Sequence, residues 1–307
     1  MLDIILVDPK SVQPTVFIGC IGYEHRSIER LRNRDDELSG TDIYLFDYRS
    51  RGIHSYDENL SVVSGLDCVR RSDFSHLLND LQKALPIEGQ VNLEIDVTSL
   101  DRKKISAMLE FLFLNFDKFA QVLITYYPQS FVLPKATLDH VKDFGPISAA
   151  FLGEASLSRE HLTLIAGAGY EFGRIVGAID VLEPERIYCF SPVGTDKRFE
   201  EQIQKNNLDF SFLEQPELLQ SYNLLKPEKL YFELRRVVEF EARERNVLLL
   251  PLGPKIFAAI SILIALIWHP AIMVWRHSTV ASDEPNSLLD AKASGSLVEL
   301  AFEFIER

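Results

Sequence analysis

Short apolar runs alternate with amphipathic stretches along most of this chain. Leu2–Val7, Val16–Cys20, Asp42–Tyr48, 67–70, Leu93–Val97 and Gln121–Tyr127 read as strands. Between them, Ile28 and Leu31 mark one helix running to about Arg34. Leu77, Leu78, Leu81 and Leu85 mark a second over Phe74–Leu85, and Ile105, Met108, Leu109 and Leu112 a third. Phe131–Leu133 and Ile147–Leu152 suggest a two-strand excursion. The pattern then resumes, with strands expected at His161–Gly167, Arg186–Phe190, Leu208–Leu213, Val247–Leu250 and Ala271–Trp275. Helices are expected at Asp196–Asn206, Pro227–Glu244 and Ile256–Trp268. Residues 279–296 read as a polar loop and Val298–Ile305 as a closing strand or helix.

Strands alternating with helices predict an α/β protein with mostly parallel sheets covered on both faces. The pattern also repeats. Gly22-Tyr23-Glu24 recurs as Gly169-Tyr170-Glu171, and Lys104-Ile105 as Lys255-Ile256. Gly22 and Lys104 lie 82 positions apart, and Gly169 and Lys255 lie 86 apart. The reading is an internal duplication: two tandem Rossmann-like units, expected at 1–155 and 156–307.

Composition narrows the classes. A hydrophobic content of 47% supplies a full core, and a net charge of -13 disfavours broad nucleic-acid binding. Cys20, Cys68 and Cys189 are scattered without metal-ligand spacing, which fits free thiols in a reducing compartment and a cytoplasmic location. The N-terminus, MLDIILVDPK, lacks the basic region of a signal peptide. Ile256–Trp275 has the length of a membrane span, but His269 and Pro270 interrupt it. Its recurrence as the counterpart of a soluble strand–loop–helix favours a buried helix followed by a strand, so no membrane partner is expected.

Candidate chemistry collects at two kinds of loop. The first follows the leading strand of each half. Gly22 and Gly169 permit close ligand approach, Tyr23 and Tyr170 can stack on a base, and Glu24 and Glu171 can accept from an amine or a ribose hydroxyl. Arg26 and Arg174 lie just beyond. A structural turn explains the glycines equally well, and neither copy is a GxGxxG fingerprint. The second loop, Asp96–Lys104, places Thr98 and Ser99 at a helix start, where they either cap the helix or donate to a phosphate. Lys103 and Lys104 oppose the helix dipole there, as Lys255 does in the second half, which suggests an anion. The counterpart of this loop is Pro251–Lys255, and Thr195 lies in another polar loop of the second half, Ser191–Lys197, after the Arg186–Phe190 strand. Asp47 and Asp96 end strands and can act as general base or hold Mg²⁺; Asp96 can equally cap its own turn.

Asp96-Val97-Thr98-Ser99 followed by Lys103-Lys104-Ile105-Ser106-Ala107-Met108 resembles the CARF domain (CRISPR-associated Rossmann fold), and Gly253-Pro254-Lys255 resembles a reduced version. The resemblance covers about 15–130 and 161–277; the glycine pair expected before Lys103 is absent. It implies Rossmann-like units that bind cyclic oligoadenylates between paired loops, a role in antiviral defence, and in some members cleavage of that ligand. Two copies in one chain would then form a pseudo-symmetric pocket.

Three readings follow. One is a nucleotide-type sensor using Gly22, Tyr23, Arg26, Thr98, Ser99, Lys103, Lys104, Gly169, Tyr170, Arg174, Thr195 and Lys255, without a cofactor and acting through a separate effector protein. The second is a phosphodiester or nucleoside hydrolase in the same crevice, using Asp96, Asp47 and Glu24 or Glu171, with Mg²⁺ entering only here. The third is an interaction scaffold whose apolar second half packs on a partner.

Overall fold

The structure, a computed structural model, describes residues 2–33, 40–133, 141–153, 161–169, 174–206, 219–279 and 290–307. The chain divides into two compact units, Met1–Ser130 with Asp283–Arg307, and Phe131–Ser282. The first unit holds β1 (Leu2–Val7), β2 (Val16–Ile21), β3 (Asp42–Asp47), β4 (Val69–Arg71), β5 (Val91–Asp96) and β6 (Phe119–Tyr126). The second holds β7 (Val141–Pro146), β8 (Leu162–Gly167), β9 (Arg186–Val193), β10 (Leu219–Asn223), β11 (Asn246–Leu250) and β12 (Ile272–Thr279). The last strand, β13 (Val298–Glu306), returns to the first unit. The helices are α1 (Glu29–Arg32), α2 (Tyr56–Val63), α3 (Phe74–Ala84), α4 (Arg102–Leu114), α5 (Arg174–Leu182), α6 (Lys197–Asn206), α7 (Pro227–Glu241) and α8 (Lys255–Ile267).

Among the described residues the first sheet has the order β1-β13-β6-β5-β2-β3-β4 and the second β10-β9-β8-β11-β12-β7. The strands β2 to β6 run parallel, as do β8 to β12. In both sheets the parallel strands follow the order third, second, first, fourth, fifth, and an antiparallel strand lies beside the fifth. The protein is therefore α/β, with two Rossmann-like units of one topology. The added strands move the expected boundary at 155/156. Pairing of β7 with β12 draws the chain from 131 onward into the second unit, and pairing of β13 with β6 returns the C-terminus to the first.

Strand alternation sets the two faces of each sheet. Phe17 and Ile21 of β2 and Ile43 and Leu45 of β3 pack with Ile28, Leu31, Tyr56 and Val63. On the opposite face Phe46 meets Phe74 of α3. In the second unit Leu164, Ala166, Leu248 and Leu250 pack against Ile175 and Ala178 of α5, while Phe257 of α8 meets Phe190 and Tyr222. Among the described residues no helix is long and apolar enough to cross a membrane. The suspicious apolar segment is α8, buried around its circumference, followed by β12.

Some local expectations change. The segment after β2 is a 3-10 turn, His25–Ile28, leading into the short α1. YDENLSVV forms α2 although it has little apolar periodicity; its buried positions are Tyr56, Asn59 and Val63, and Asn59 is held by polar bonds described below. The excursion expected at 131–133 and 147–152 gives way to β7. β10 was not anticipated, and the strand expected at 208–213 lies outside the described residues.

Candidate functional site

In an open parallel sheet the order reverses beside the first strand, and the loops leaving the carboxyl ends there diverge and form a crevice. In the first unit these are the loops after β2 and β5. A Cβ on Gly22 would lie 3.4 Å from Ser27 Cβ and 3.7 Å from Ser99 Cβ, so the two loops meet at this glycine. Asn59, fully buried, fixes the first loop from α2. Its amide donates to the carbonyl oxygens of Gly22 and Glu24 at 3.0 and 2.8 Å, and Arg32 donates to its Oδ1 at 2.8 Å. No apolar pattern flagged Asn59; an asparagine at a position facing the sheet was the available signal.

Side chains then bridge the loops. Ser99 Oγ and Arg26 Nε both donate to Glu24 Oε2 at 3.0 Å. Arg26 also donates from Nη1 to the Tyr127 carbonyl at 2.8 Å and lies over the Tyr126 ring. Burial opposes its charge, and the adjacent Glu24 more than offsets this, so its pKa is raised. Tyr23, half-buried, stands 6.0 Å from the His54 ring. Burial, reinforced by the Glu24 charge, pushes its phenol up to about 12.

The carboxylates sit deeper. Asp96 is 2% exposed and accepts the Thr98 N–H at 2.8 Å. Burial pushes its pKa up to about 6, against the lowering effect of its bonds to Thr98. Thr98 is fully buried and its Oγ1 accepts the Tyr127 N–H at 2.9 Å. Asp47 accepts from Tyr56 OH at 2.5 Å and from the Arg49 N–H at 2.7 Å. Among the described residues no group of three or more His, Cys, Asp or Glu is placed to hold a metal ion.

The helix start after β5 differs from the expected cap. Asp101, not Thr98 or Ser99, caps α4 by accepting the Lys104 N–H at 3.1 Å. Lys104 Nζ pairs with the same carboxylate and lies 4.6 and 4.9 Å from the ring centres of Phe46 and Tyr48. Its charge is turned to these partners, whereas Lys103 is exposed. The structure thus brings Gly22, Tyr23, Glu24, Arg26 and Ser99 together where the loops after β2 and β5 meet, with Thr98 and Asp96 buried beneath.

Among the described residues of the second unit, backbone packs closely at the equivalent place. A Cβ on Gly167 would lie 2.6 Å from the Phe257 ring and 2.7 Å from Leu252 O. Gly253, at φ +69, would place a Cβ 2.3 Å from Ala168 O. Gly169 is buried beside it. Arg174 and Lys255 are half-buried first residues of α5 and α8, and Thr195 is half-buried between β9 and α6. Lys255 lies five residues beyond the end of β11 and Lys104 eight beyond the end of β5, so the two lysines are out of register. Tyr170 and Glu171 lie outside the described residues.

No protein-family model and no curated protein matches this chain. The residues themselves carry the functional argument. The loops after β2 and β5 hold a half-buried aromatic ring, a carboxylate acceptor, a hydroxyl and a buried guanidinium at a Rossmann reversal point. That set can stack on a planar base and exchange hydrogen bonds with a sugar or amine.

Proposed function

We propose that the protein is a CARF-like sensor of a phosphate-bearing nucleotide ligand, read in the crevice at the carboxyl end of the first sheet. The observation that carries this reading is the Glu24–Ser99–Arg26 bridge between the loops after β2 and β5, beside Tyr23. Tyr23 stacks on the base, and Glu24 accepts from a ribose hydroxyl or an exocyclic amine. Ser99 donates to the ligand on leaving Glu24, and Lys103 supplies the exposed cation. Cyclic oligoadenylate is the ligand class that the family resemblance suggests, with a separate effector protein responding in the cytoplasm as part of antiviral defence.

A hydrolase acting in the same crevice has one observation in its favour: the Asp96 pKa of about 6, in the range of a general base. Its burial beneath Thr98 favours the sensor. Calorimetric titration with AMP and with cyclic oligoadenylates, followed by chromatography of the mixture, tests both. Binding that Tyr23→Ala and Glu24→Gln weaken, with the nucleotide recovered intact, supports the sensor. Recovery of cleaved product supports the hydrolase. Absence of heat and of turnover with every nucleotide overturns both.

A further inference from the structure

Strand register places Glu94 of β5 beside Leu123 of β6, and Thr125 of β6 beside Glu299 of β13, so these four side chains share one face of the first sheet. Arg30 of α1 meets that face, donating to Glu94 from Nε at 2.6 Å and from Nη2 at 3.3 Å. α1 spans four residues, whereas α5, its counterpart in the second unit, spans nine. Beside α1 the segment from Pro9 to Pro14 lies over the sheet, with Val12 packed on Leu123 and Ala301. A cavity of about 290 Å³ remains there, bordered by Lys10, Gln13, Arg30, Leu123 and Glu299. That volume is at the lower end of the range that small-molecule sites occupy.

The walls are fixed before any ligand arrives. Pro9 and Pro14 restrict the backbone at both ends of the segment, Asp8 accepts the Lys10 N–H at 3.0 Å, and Asn92 Nδ2 donates to the Gln13 carbonyl at 3.1 Å. Glu94 is fully buried and takes only one edge of the Arg30 guanidinium. On the other edge Nη1 makes no hydrogen bond to a described residue, and it is not sealed from solvent. A buried ion pair is a poor source of net stability; this one holds a guanidinium rigidly with one edge to spare beside a cavity. Lys10, exposed, adds a second cation at the rim, and half-buried Glu299 sets a carboxylate in the wall.

We propose that this cavity binds a small zwitterion of the amino-acid class, with its carboxylate on Arg30 Nη1 and Lys10 and its ammonium group on Glu299. A planar guanidinium edge suits a carboxylate, and a carboxylate such as Glu299 has lone pairs enough to accept from an ammonium group besides its protein contacts. Glu299 in the wall disfavours a ligand that is only an anion, and Lys10 and Arg30 disfavour one that is only a cation. The inference is independent of the nucleotide reading: no residue bordering the cavity belongs to the loops after β2 and β5.

Calorimetric titration of the full chain with each proteinogenic amino acid tests this, with acetate and methylamine as single-charge probes. At least one amino acid is expected to bind, and acetate and methylamine each about tenfold more weakly, the worth of one charge-assisted hydrogen bond. The tightest amino acid is then carried to Lys10→Ala and Glu299→Gln, changes at an exposed and a half-buried position. Lys10→Ala is expected to weaken it and acetate together, by about tenfold. Glu299→Gln is expected to weaken it while leaving acetate unchanged or tighter. Absence of heat with every amino acid, acetate binding as tightly as the best of them, or unchanged affinity in both variants would overturn the proposal. If one variant does not fold, the other decides. A parallel titration with AMP bears only on the nucleotide reading, so the two can fail separately.

Discussion

The two units share a strand order and differ most where that order reverses. Ile95 stands beside Ile18 in the first sheet, and Leu249 beside Ile165 in the second. With Gly22 matched to Gly169, Glu94 and Asp96 fall on Leu248 and Leu250, and Ser99 falls on Gly253. One unit carries buried carboxylates beneath side chains that bridge two loops. The other carries leucines beneath two loops pressed together at glycine. The two units share one topology, yet at the reversal point the first carries polar side chains and the described residues of the second carry apolar side chains and glycine. Function in such a pair is read from the chemistry at the reversal point, not from the fold.

The largest expected contrast lies at the glycines. Gly253→Ala forces a Cβ against Ala168 O at a φ that disfavours side chains, and should cost about 4 kcal/mol. Gly22→Ala meets only ordinary contacts and should cost under about 1 kcal/mol. Urea unfolding of both variants checks this; similar losses would break the comparison.

The buried glutamates give the next contrast. Glu94 is fully buried and takes the Arg30 guanidinium at 2.6 and 3.3 Å. Arg30→Met removes the charged partner of that buried carboxylate, to which Thr125 Oγ1 also donates at 3.2 Å, and should cost about 3 kcal/mol. In the second unit Glu241 is also bonded by Thr163 and Tyr188, and its partner Arg186 is 37% exposed. Arg186→Met should therefore cost about 1 kcal/mol. Thermal unfolding of the two variants measures the difference.

Asp96 adds a pH dependence that Leu250 cannot have. Its folded pKa of about 6 lies above the roughly 3.9 of an unfolded aspartate, so between these values the folded state holds the extra proton. Stability should fall as pH rises from about 4 to about 6, by roughly 3 kcal/mol for a shift of about two units. Asp96→Asn should remove that slope in denaturant titrations run across the same range; an unchanged slope would assign the effect elsewhere.

The smallest effects separate the two adjacent lysines. Lys104→Ala loses the Asp101 partner and two ring faces and should cost about 1 kcal/mol. Lys103→Ala, at an exposed position, should stay within about 0.5 kcal/mol while weakening AMP binding. Calorimetry on both variants tests the division of roles.

Sequence periodicity alone determined the α/β class and most of the parallel strands, because a strand buried on both faces must be apolar and the helices between must be amphipathic, while recurring motifs pointed to two like units. It also reached the loops after β2 and β5, since Gly22, Tyr23, Glu24, Arg26, Thr98 and Ser99 punctuate strand ends. What it could not reach depended on partners distant in the chain. β13 pairs with β6 across 172 to 180 positions and β1 with β13 across 294 to 304, as at Phe302 with Val122 and Leu2 with Glu306, and no local pattern encodes such pairing. Thr98 was legible as a hydroxyl at a helix start, but only the fold turned it to the Tyr127 N–H and gave the cap to Asp101. Lys104 and Lys255 matched as letters, yet loops of unequal length put them out of register. Asp290 lay in a stretch that read as a polar loop. Tertiary structure alone carried its carboxylate to His25, 265 positions away, because donors at helix starts must be satisfied by whatever acceptor the chain brings near.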